Sequence, residues 1–530
     1  MYFKSLGVML DCSRNAVMKV DELKRYITVL NKMGYNQFQL YTEETYEVEG
    51  EPFFGYHRGR YTVEELQEID AFCASINVEL IPNIQTLAHL WSALHWDAYE
   101  KIRDTGDILL VDDEATYTFI ENLFKSLRKA FRSNKVHIGM DEAHELGRGA
   151  YMDKHGEVDR SEILLSHLKR VCAIAEKYGF EPMMWSDMFY RLANGGEYFV
   201  SNATFSPEIR EKIPENLTLV YWDYYGTNRK NYDGMIKGHK MLSDKIAFAG
   251  GAWKWAGFAS HNTYSLRSTK AAIPSCIENG IKDVIFTCWG DNGAECSAWA
   301  ILPSLCYGAC LAQGITKMAD VKAKFQEWTG YSFDDFMMLD LPDRLSDDLT
   351  INPSKYTLYN DCFMGLFDRN ISEKDAKVYA TNARRLKNAA KRTGEYAYIF
   401  ENLSNLCSLL SIKVDLGIRT KEAFFSGNMD AVETIIKDYN KTIKKLEIFY
   451  DSFKTQWFKE NKPHGFDVQD IRLGGLMMRL RSCRDRLIAY TKGEIDDIPE
   501  LHDETLIFRL DRHINYNNWE YSVTANRMNG

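Results

Sequence analysis

The sequence has 530 residues, more than one hydrophobic core usually serves, so two domains are expected. Its apolar fraction of 45% is ordinary for a globular protein. The formal net charge is −10, and the sequence has no long run of Lys and Arg. These values argue against a nucleic-acid partner, because binding a phosphate backbone needs a concentrated cationic face.

The first residues and the cysteines indicate where the protein works. Met1-Tyr2-Phe3-Lys4 leads into a strand-like run instead of the apolar core and cleavage site of a signal peptide, and no apolar stretch is long enough to span a bilayer. The eleven cysteines are an odd number and include no CxxC pair. We therefore expect a cytoplasmic protein with reduced thiols and no membrane partner.

Residues 1–340 repeat a short β-branched or aromatic run followed by a longer segment with helical periodicity. This alternation is typical of a parallel sheet whose strands are joined by crossover helices. About eight such units predict an α/β fold, the (βα)8 TIM barrel, in which the C-terminal ends of the strands carry the chemistry. The predicted strands are 6–11, 37–42, 78–85, 136–141, 182–187, 217–224, 246–253 and 284–289.

Amphipathic helices are predicted between the strands. In 21–33 the apolar face is formed by Leu23, Ile27 and Leu30, and Gly34 is the C-terminal stop. The segment 161–178 has the same pattern and is followed by Gly179.

From about Leu341 the alternation gives way to long charged helical patterns at 373–392, 430–459 and 475–492. Residues 341–530 are therefore predicted to form a mainly α-helical C-terminal domain. The polar, aromatic-rich residues 511–530 form its tail. The stretch 465–472 is either a loop that reaches the barrel mouth, a homodimer contact or the start of a helix.

Polar and aromatic residues at the predicted strand ends indicate a sugar pocket. Tryptophan occurs at four of the eight ends, and at two of them a carboxylate stands two positions away, on the same side of a strand. Aromatic faces stack on pyranose rings, while carboxylates and Arg bind hydroxyl groups. Any single Trp could instead be barrel core. The four tryptophans are Trp185, Trp222, Trp253 and Trp289.

The run His137-Ile138-Gly139-Met140-Asp141-Glu142 resembles the His-x-Gly-x-Asp-Glu motif that follows barrel strand four in glycoside hydrolase family 20, the exo-β-N-acetylhexosaminidases. The resemblance extends over residues 1–340. It implies a small-molecule or oligosaccharide substrate with a terminal N-acetylhexosamine, and neither a cofactor nor a metal ion. The sequence departs from the family pattern at Met140 and Asp291 and lacks the α/β domain that often precedes the barrel, so we expect a divergent branch of the family.

The resemblance also implies how the acid pair works. Most glycosidases place two carboxyl groups on opposite faces of the scissile bond, which adjacent residues cannot easily do, but family 20 uses substrate assistance. There the 2-acetamido oxygen of the sugar attacks C1, Glu142 protonates the leaving oxygen, and Asp141 accepts a hydrogen bond from the acetamide N–H. Burial near Trp rings would favour the neutral form of Glu142 that donation requires.

Further substrate-binding residues follow from the family pattern. Arg14 corresponds to an Arg that binds the 3- and 4-hydroxyls, and His89 to a His in a relay with Glu44 as its carboxylate. Tyr221 and Asp223 match a Tyr-x-Asp pair that orients the acetamide, with Tyr225 as a rival for the Tyr. The four tryptophans are walls of the pocket. The remaining candidates are His137 in the motif itself and Asp291 and Glu295 at the 4- or 6-hydroxyl.

Three alternatives remain open. His137, Asp141, Glu142 and His144 could hold a metal ion. A covalent mechanism could place Asp223 or Glu295 opposite Glu142. The chain could also be a carbohydrate-binding protein without catalytic activity.

Overall fold

The computed structural model describes residues 1–345, 348, 350–509 and 514–526, so parts of the predicted tail (511–513 and 527–530) lie outside the described residues. The predicted fold class is confirmed. Eight parallel strands form a closed barrel in chain order, with the first strand paired to the last. The strands are β1 (Ser5–Asp11), β2 (Gln37–Tyr41), β3 (Glu79–Asn83), β4 (Lys135–His137), β5 (Glu181–Trp185), β6 (Thr218–Trp222), β7 (Ile246–Gly251) and β8 (Asp283–Cys288).

Helices alternate with these strands and end where the sequence predicts. In the first helix, Val20–Met33, the side chains of Leu23, Ile27 and Leu30 are buried, and Gly34 takes a left-handed conformation with φ of +99° at the C-terminal end. The helices are α1 (Val20–Met33), α2 (Val63–Ser75), α3 (Trp91–Leu94), α4 (Glu114–Ala130), α5 (Ala150–His155), α6 (Arg160–Lys177), α7 (Asp187–Ala193), α8 (Pro207–Lys212), α9 (Arg229–Leu242), α10 (Asn262–Glu278), α11 (Leu302–Ala312) and α12 (Met318–Thr329).

The chain divides into two compact units. The barrel unit contains Met1–Ala252, Ser265–Trp289 and Ser304–Thr329, and the helical unit contains Trp253–Tyr264, Gly290–Pro303 and the chain from Gly330 onward. The helices of the helical unit are α13 (Phe333–Phe336), α14 (Pro353–Tyr359), α15 (Asp375–Ala390), α16 (Ala397–Lys413), α17 (Leu416–Phe425), α18 (Met429–Glu460) and α19 (Phe466–Thr491). Among them, α15 packs on α16, and α18 packs on α16, α17 and α19.

Side chains on one face of the strands point into the barrel. Neighbours in register on parallel strands share a face, so Tyr41, Asn83 and His137 form one interior row. The rings of Trp185 and Trp289 lie 6.0 Å apart although β5 and β8 are not adjacent strands, so this contact crosses the interior. The C-terminal end of the barrel interior is therefore lined by aromatic and polar side chains.

All eleven cysteines are buried as free thiols. Among the described residues, no helix combines the length and the apolar character that crossing a membrane requires.

Candidate active site

The chain beyond β4 makes a strained turn that carries the two adjacent acids. Gly139, Met140 and Glu142 have φ values of +72°, +69° and +51°. A non-glycine residue in this region costs about 1–2 kcal/mol, so the turn needs support from its surroundings. This is why β4 ends at His137, whereas the sequence predicted a strand up to Asp141.

Gln85, which follows β3, supports the turn from the barrel interior. Its Oε1 accepts a hydrogen bond from the Met140 N–H at 3.1 Å, and its Nε2 donates to Asp141 Oδ1 at 2.7 Å. The same Nε2 also donates to the hydroxyl of Tyr41 at 3.0 Å. Gln85 is fully buried, so it fixes both the backbone of the turn and the orientation of the Asp141 carboxylate.

His89 binds the other oxygen of Asp141. The distance from His89 Nε2 is 3.2 Å to Asp141 Oδ2 and 3.8 Å to Glu142 Oε2. Burial would raise the pKa of Asp141, but the nearby charge of His89 and the hydrogen bond from Gln85 outweigh it and lower that pKa. Burial would lower the pKa of His89, but Asp141 raises it to about 9. The two residues are therefore an ion pair at neutral pH.

Glu142 is held differently, because its carboxyl group reaches toward solvent and its side chain is 39% exposed. Its Oε1 lies 3.3 Å from Nη2 of Arg191, and its backbone N–H donates to Asp187 Oδ2 at 3.0 Å. One acid is thus locked as a carboxylate in the interior, and its neighbour faces the mouth of the barrel.

Arg14 lies at the mouth beside an aromatic wall. Its guanidinium contacts Asp11 at 3.1 Å and Glu43 at 3.4 Å, and its central carbon is 5.0 Å from the ring centroids of both Tyr41 and Trp289. The aromatic rings and the ion pairs hold the guanidinium in place.

Trp185 and His137 form the adjacent part of the interior. Their rings are 4.2 Å apart, and Nδ1 of His137 accepts a hydrogen bond from the Gly139 N–H at 3.1 Å. Burial lowers the pKa of His137 to about 3, so this imidazole is neutral. Within the described part of the chain, Nε1 of Trp185 and Nε2 of His137 are buried and have no hydrogen-bond partner.

The structure corrects the prediction for β6. Val220 is in register with Trp185, so Tyr221 points to the opposite, helix-facing side. There its ring packs against Tyr232 and His239 of α9, and its hydroxyl donates to Asp223 Oδ2 at 3.0 Å. Tyr221 and Asp223 are therefore not brought to the acid pair.

The chain turns after Trp222, and the carboxylate of Asp223 supports the turn. Asp223 Oδ1 accepts hydrogen bonds from the N–H groups of Tyr225 and Gly226 at 2.9 and 2.8 Å. Tyr225 is 40% exposed, while Tyr224 is buried and stacks on Trp222 with ring centroids 5.2 Å apart. Burial raises the pKa of Tyr224 and the charge of Asp141 adds to this, as it does for Tyr41, so both tyrosines lie within electrostatic range of Asp141.

Glu44 is not the partner of His89 that the sequence suggested. It is fully buried and paired with Arg58, which also donates to the backbone oxygen of Ser13. The carboxylates in contact with His89 are those of Asp141 and Glu142. Burial raises the pKa of Glu44, which Arg58 partly offsets.

Trp253, Asp291 and Glu295 belong to the helical unit. Trp253 is fully buried and stacks on Trp255 with ring centroids 4.6 Å apart, and Asp291 begins a short 3₁₀ turn. Glu295 was predicted to bind a sugar hydroxyl, but both of its oxygens are engaged, by Lys355 at 2.7 Å and by Arg472 at 3.2 Å. Its carboxylate is part of a buried ionic cluster.

Comparison with known proteins defines the chain as a glycoside hydrolase. The family model described as glycosyl hydrolase family 20, catalytic domain, matches residues 3–247, and the Glycoside Hydrolase 20C C-terminal domain matches residues 334–519. Both matches name the same family and together they extend over most of the sequence. The chain belongs to glycosyl hydrolase family 20.

The individual relatives are distant. Hexosaminidase D of Bos taurus is 22% identical over 278 residues, which cover 51% of this chain and 75% of that protein. The Beta-hexosaminidase of Akkermansia muciniphila is 24% identical over 238 residues, which cover 38% of this chain and 47% of that protein. The chain thus spans about half the length of the latter. A solved GH20 exo beta-N-acetylglucosaminidase from Vibrio harveyi is 15% identical, with a TM-score of 0.46 and coverage of 64% of this chain and 58% of that one.

Proposed function

We propose that the protein is an exo-acting, retaining β-N-acetylhexosaminidase, which removes terminal non-reducing β-linked N-acetylglucosamine or N-acetylgalactosamine by substrate-assisted catalysis. The observation that carries the proposal is the division between the two adjacent acids. Asp141 is held as a carboxylate by Gln85 and His89, whereas Glu142 is 39% exposed at the barrel mouth.

The acetamide of the bound sugar supplies the nucleophile in this mechanism. Its carbonyl oxygen attacks C1 while Glu142 donates a proton to the leaving oxygen, and the C1–O bond to the aglycone breaks. The oxazolinium ion that forms is cationic, and the ionised Asp141 accepts a hydrogen bond from its N–H and stabilises its charge. Glu142 then takes a proton from water, which attacks C1 and opens the oxazolinium ring, so the configuration at C1 is retained overall.

The surrounding side chains have matching roles. Arg14, held between Tyr41 and Trp289, would bind the ring hydroxyls, and the faces of Trp185 and Trp289 would enclose the acetamide and the pyranose. Tyr224 replaces Tyr221 as the proposed tyrosine near the acetamide, because it stacks on Trp222 and lies within electrostatic range of Asp141.

The names of the relatives support the same activity. The proteins that the chain resembles are called Hexosaminidase D and Beta-hexosaminidase. We propose that residues 1–340 form the catalytic domain and that 341–530 form a separate helical domain, in line with the second family match at 334–519. The eleven buried free thiols favour a cytoplasmic location.

A covalent mechanism is less well supported. Asp223 is occupied by Tyr221 and by two backbone N–H groups, and Glu295 by Lys355 and Arg472. Neither carboxylate is available as a nucleophile without breaking these contacts.

A panel of p-nitrophenyl β-glycosides tests the proposal. We expect hydrolysis of the N-acetylglucosaminide, the N-acetylgalactosaminide or both, none of the matching glucoside or galactoside, and strong inhibition by a thiazoline that mimics the cyclised acetamide. Glu142→Gln should abolish hydrolysis and preserve thiazoline binding. Equal turnover of the sugars that lack the acetamide would refute the mechanism, and a protein that binds the thiazoline without hydrolysing either substrate would be a binding protein.

A further inference from the structure

Two charged residues on α7 contact the proposed acid and have no role in the mechanism described so far. Asp187 is the first residue of α7 and Arg191 lies one turn later. Asp187 Oδ2 accepts hydrogen bonds from the Glu142 N–H and from Arg191 Nε, both at 3.0 Å. Arg191 in turn places Nη2 3.3 Å from Glu142 Oε1.

The position of Asp187 is costly for the fold. Its side chain is fully buried, and within the described residues its Oδ1 has no hydrogen-bond partner. A buried carboxyl group with one unsatisfied oxygen destabilises a protein unless its contacts offset the desolvation. A structural ion pair with Arg191 alone would not require this burial, since Arg191 remains 17% exposed.

The charges around Glu142 are unequal in number. Three carboxyl groups, those of Asp141, Glu142 and Asp187, face two cations, His89 and Arg191. Asp141 is held ionised by His89, so the remaining groups are Arg191 and the two acids that it contacts. Burial raises the pKa of Asp187, as do the charges of Asp141 and Glu142, while Arg191 opposes them.

We propose that Asp187 and Arg191 are positioning residues that set the pH at which Glu142 can act as an acid. Asp187 holds the backbone of Glu142 in its left-handed conformation. Arg191 stabilises the Glu142 carboxylate that appears when the proton is donated, and Asp187 limits this effect because it partly neutralises Arg191. This assignment rests on the proposed function, in which Glu142 protonates the leaving oxygen.

The two residues should affect the enzyme in opposite directions. Without the charge of Arg191, Glu142 would keep its proton to higher pH. Without the charge of Asp187, Arg191 would act on Glu142 alone, and the proton would be lost at lower pH. A residue that served only to keep the turn folded would not produce shifts of opposite sign.

The test is the pH profile of kcat/KM on the aryl N-acetyl-β-hexosaminide that the wild type cleaves. Asp187→Asn keeps an oxygen that can accept the Glu142 N–H and removes only the charge, and it should move the alkaline limb down by roughly one pH unit. Arg191→Met should move this limb up by roughly as much. Arg191→Lys keeps the charge and should leave the limb near its wild-type position.

The matched control is Lys177→Met on α6, which removes an exposed cation remote from the acids and should leave the profile unchanged. Alkaline limbs that stay in place or move in the same direction in Asp187→Asn and Arg191→Met would overturn the inference. If Asp187→Asn does not fold, as judged by circular dichroism, Arg191→Met against Arg191→Lys decides alone, and equal limbs in these two reject it. A wild type that cleaves none of the N-acetyl substrates would instead reject the proposed function.

Discussion

Replacing Gln85 by Met tests the support of the acid pair most directly. Methionine has a similar length and no polar group, so the substitution removes three hydrogen bonds and leaves little empty space. The bond to Asp141 involves a charged acceptor and contributes about 2 kcal/mol, and the bonds to Met140 and Tyr41 about 1 kcal/mol each. Gln85→Met should therefore destabilise the protein by about 4 kcal/mol.

Urea unfolding followed by circular dichroism measures this loss, with Gln39→Met as the matched control. Gln39 is also fully buried in the barrel, but its hydrogen bonds join it to Gln37 and Asn83 and not to an acid. Gln39→Met should destabilise the protein by about 2 kcal/mol and leave kcat unchanged. Gln85→Met should also lower kcat, because Asp141 keeps its contact with His89 but loses its hydrogen bond from Gln85. Equal stability of the two variants together with wild-type kcat for Gln85→Met would refute the role given to Gln85.

Three further changes probe the same region. His89→Gln should lower the free energy of unfolding by about 3 kcal/mol at pH 6 and by little above pH 9. The pKa of His89 is raised from 6.5 to about 9, so its ion pair with Asp141 stabilises the fold fully below pH 6.5, and this stabilisation is lost as the pH rises through 9. A cost that does not vary with pH would contradict the ion pair. Gly139→Ala should cost about 3 kcal/mol or more in thermal unfolding, since the added Cβ would lie 2.1 Å from Gln85 Oε1. The control Gly179→Ala has the same φ of +72° with nothing within 4 Å of the added Cβ, and should cost about 1 kcal/mol. Equal costs would count against the clash. Asp141→Asn should lower kcat by about 10²–10³-fold through loss of the counter-charge, and near-normal turnover would exclude that role.

Most of the fold was predictable because it follows from periodicity. The eight strands occur where short apolar runs alternate with amphipathic helices, and α15, α18 and α19 occur where charged and apolar residues repeat at helical spacing. The helix α19 begins at Phe466, which confirms the helix-start interpretation of 465–472. The helix α16 was missed because its sequence is apolar on most sides, so it shows little amphipathic contrast.

The site was predictable only in its centre. The motif predicted that Asp141 and Glu142 follow the fourth strand, and the structure has them in the turn after β4. The contacts of Gln85 and Asp187 depend on backbone N–H groups that this turn exposes, and no spacing in the sequence indicates them. The Tyr-x-Asp prediction failed because Tyr221 and Asp223 lie on the helix-facing side of β6, and the sequence does not show which of the two alternating faces of a strand points into the barrel.

The buried cysteines provide a built-in report on local opening of the structure. Each thiol, such as Cys12 after β1 or Cys483 in α19, can react with an alkylating reagent only when its surroundings transiently separate. Labelling rates resolved by peptide mass spectrometry would therefore give an opening free energy at each of these positions without any introduced probe. Because such thiols occur in both compact units, one experiment of this kind measures whether the barrel and the helices open together or one after the other.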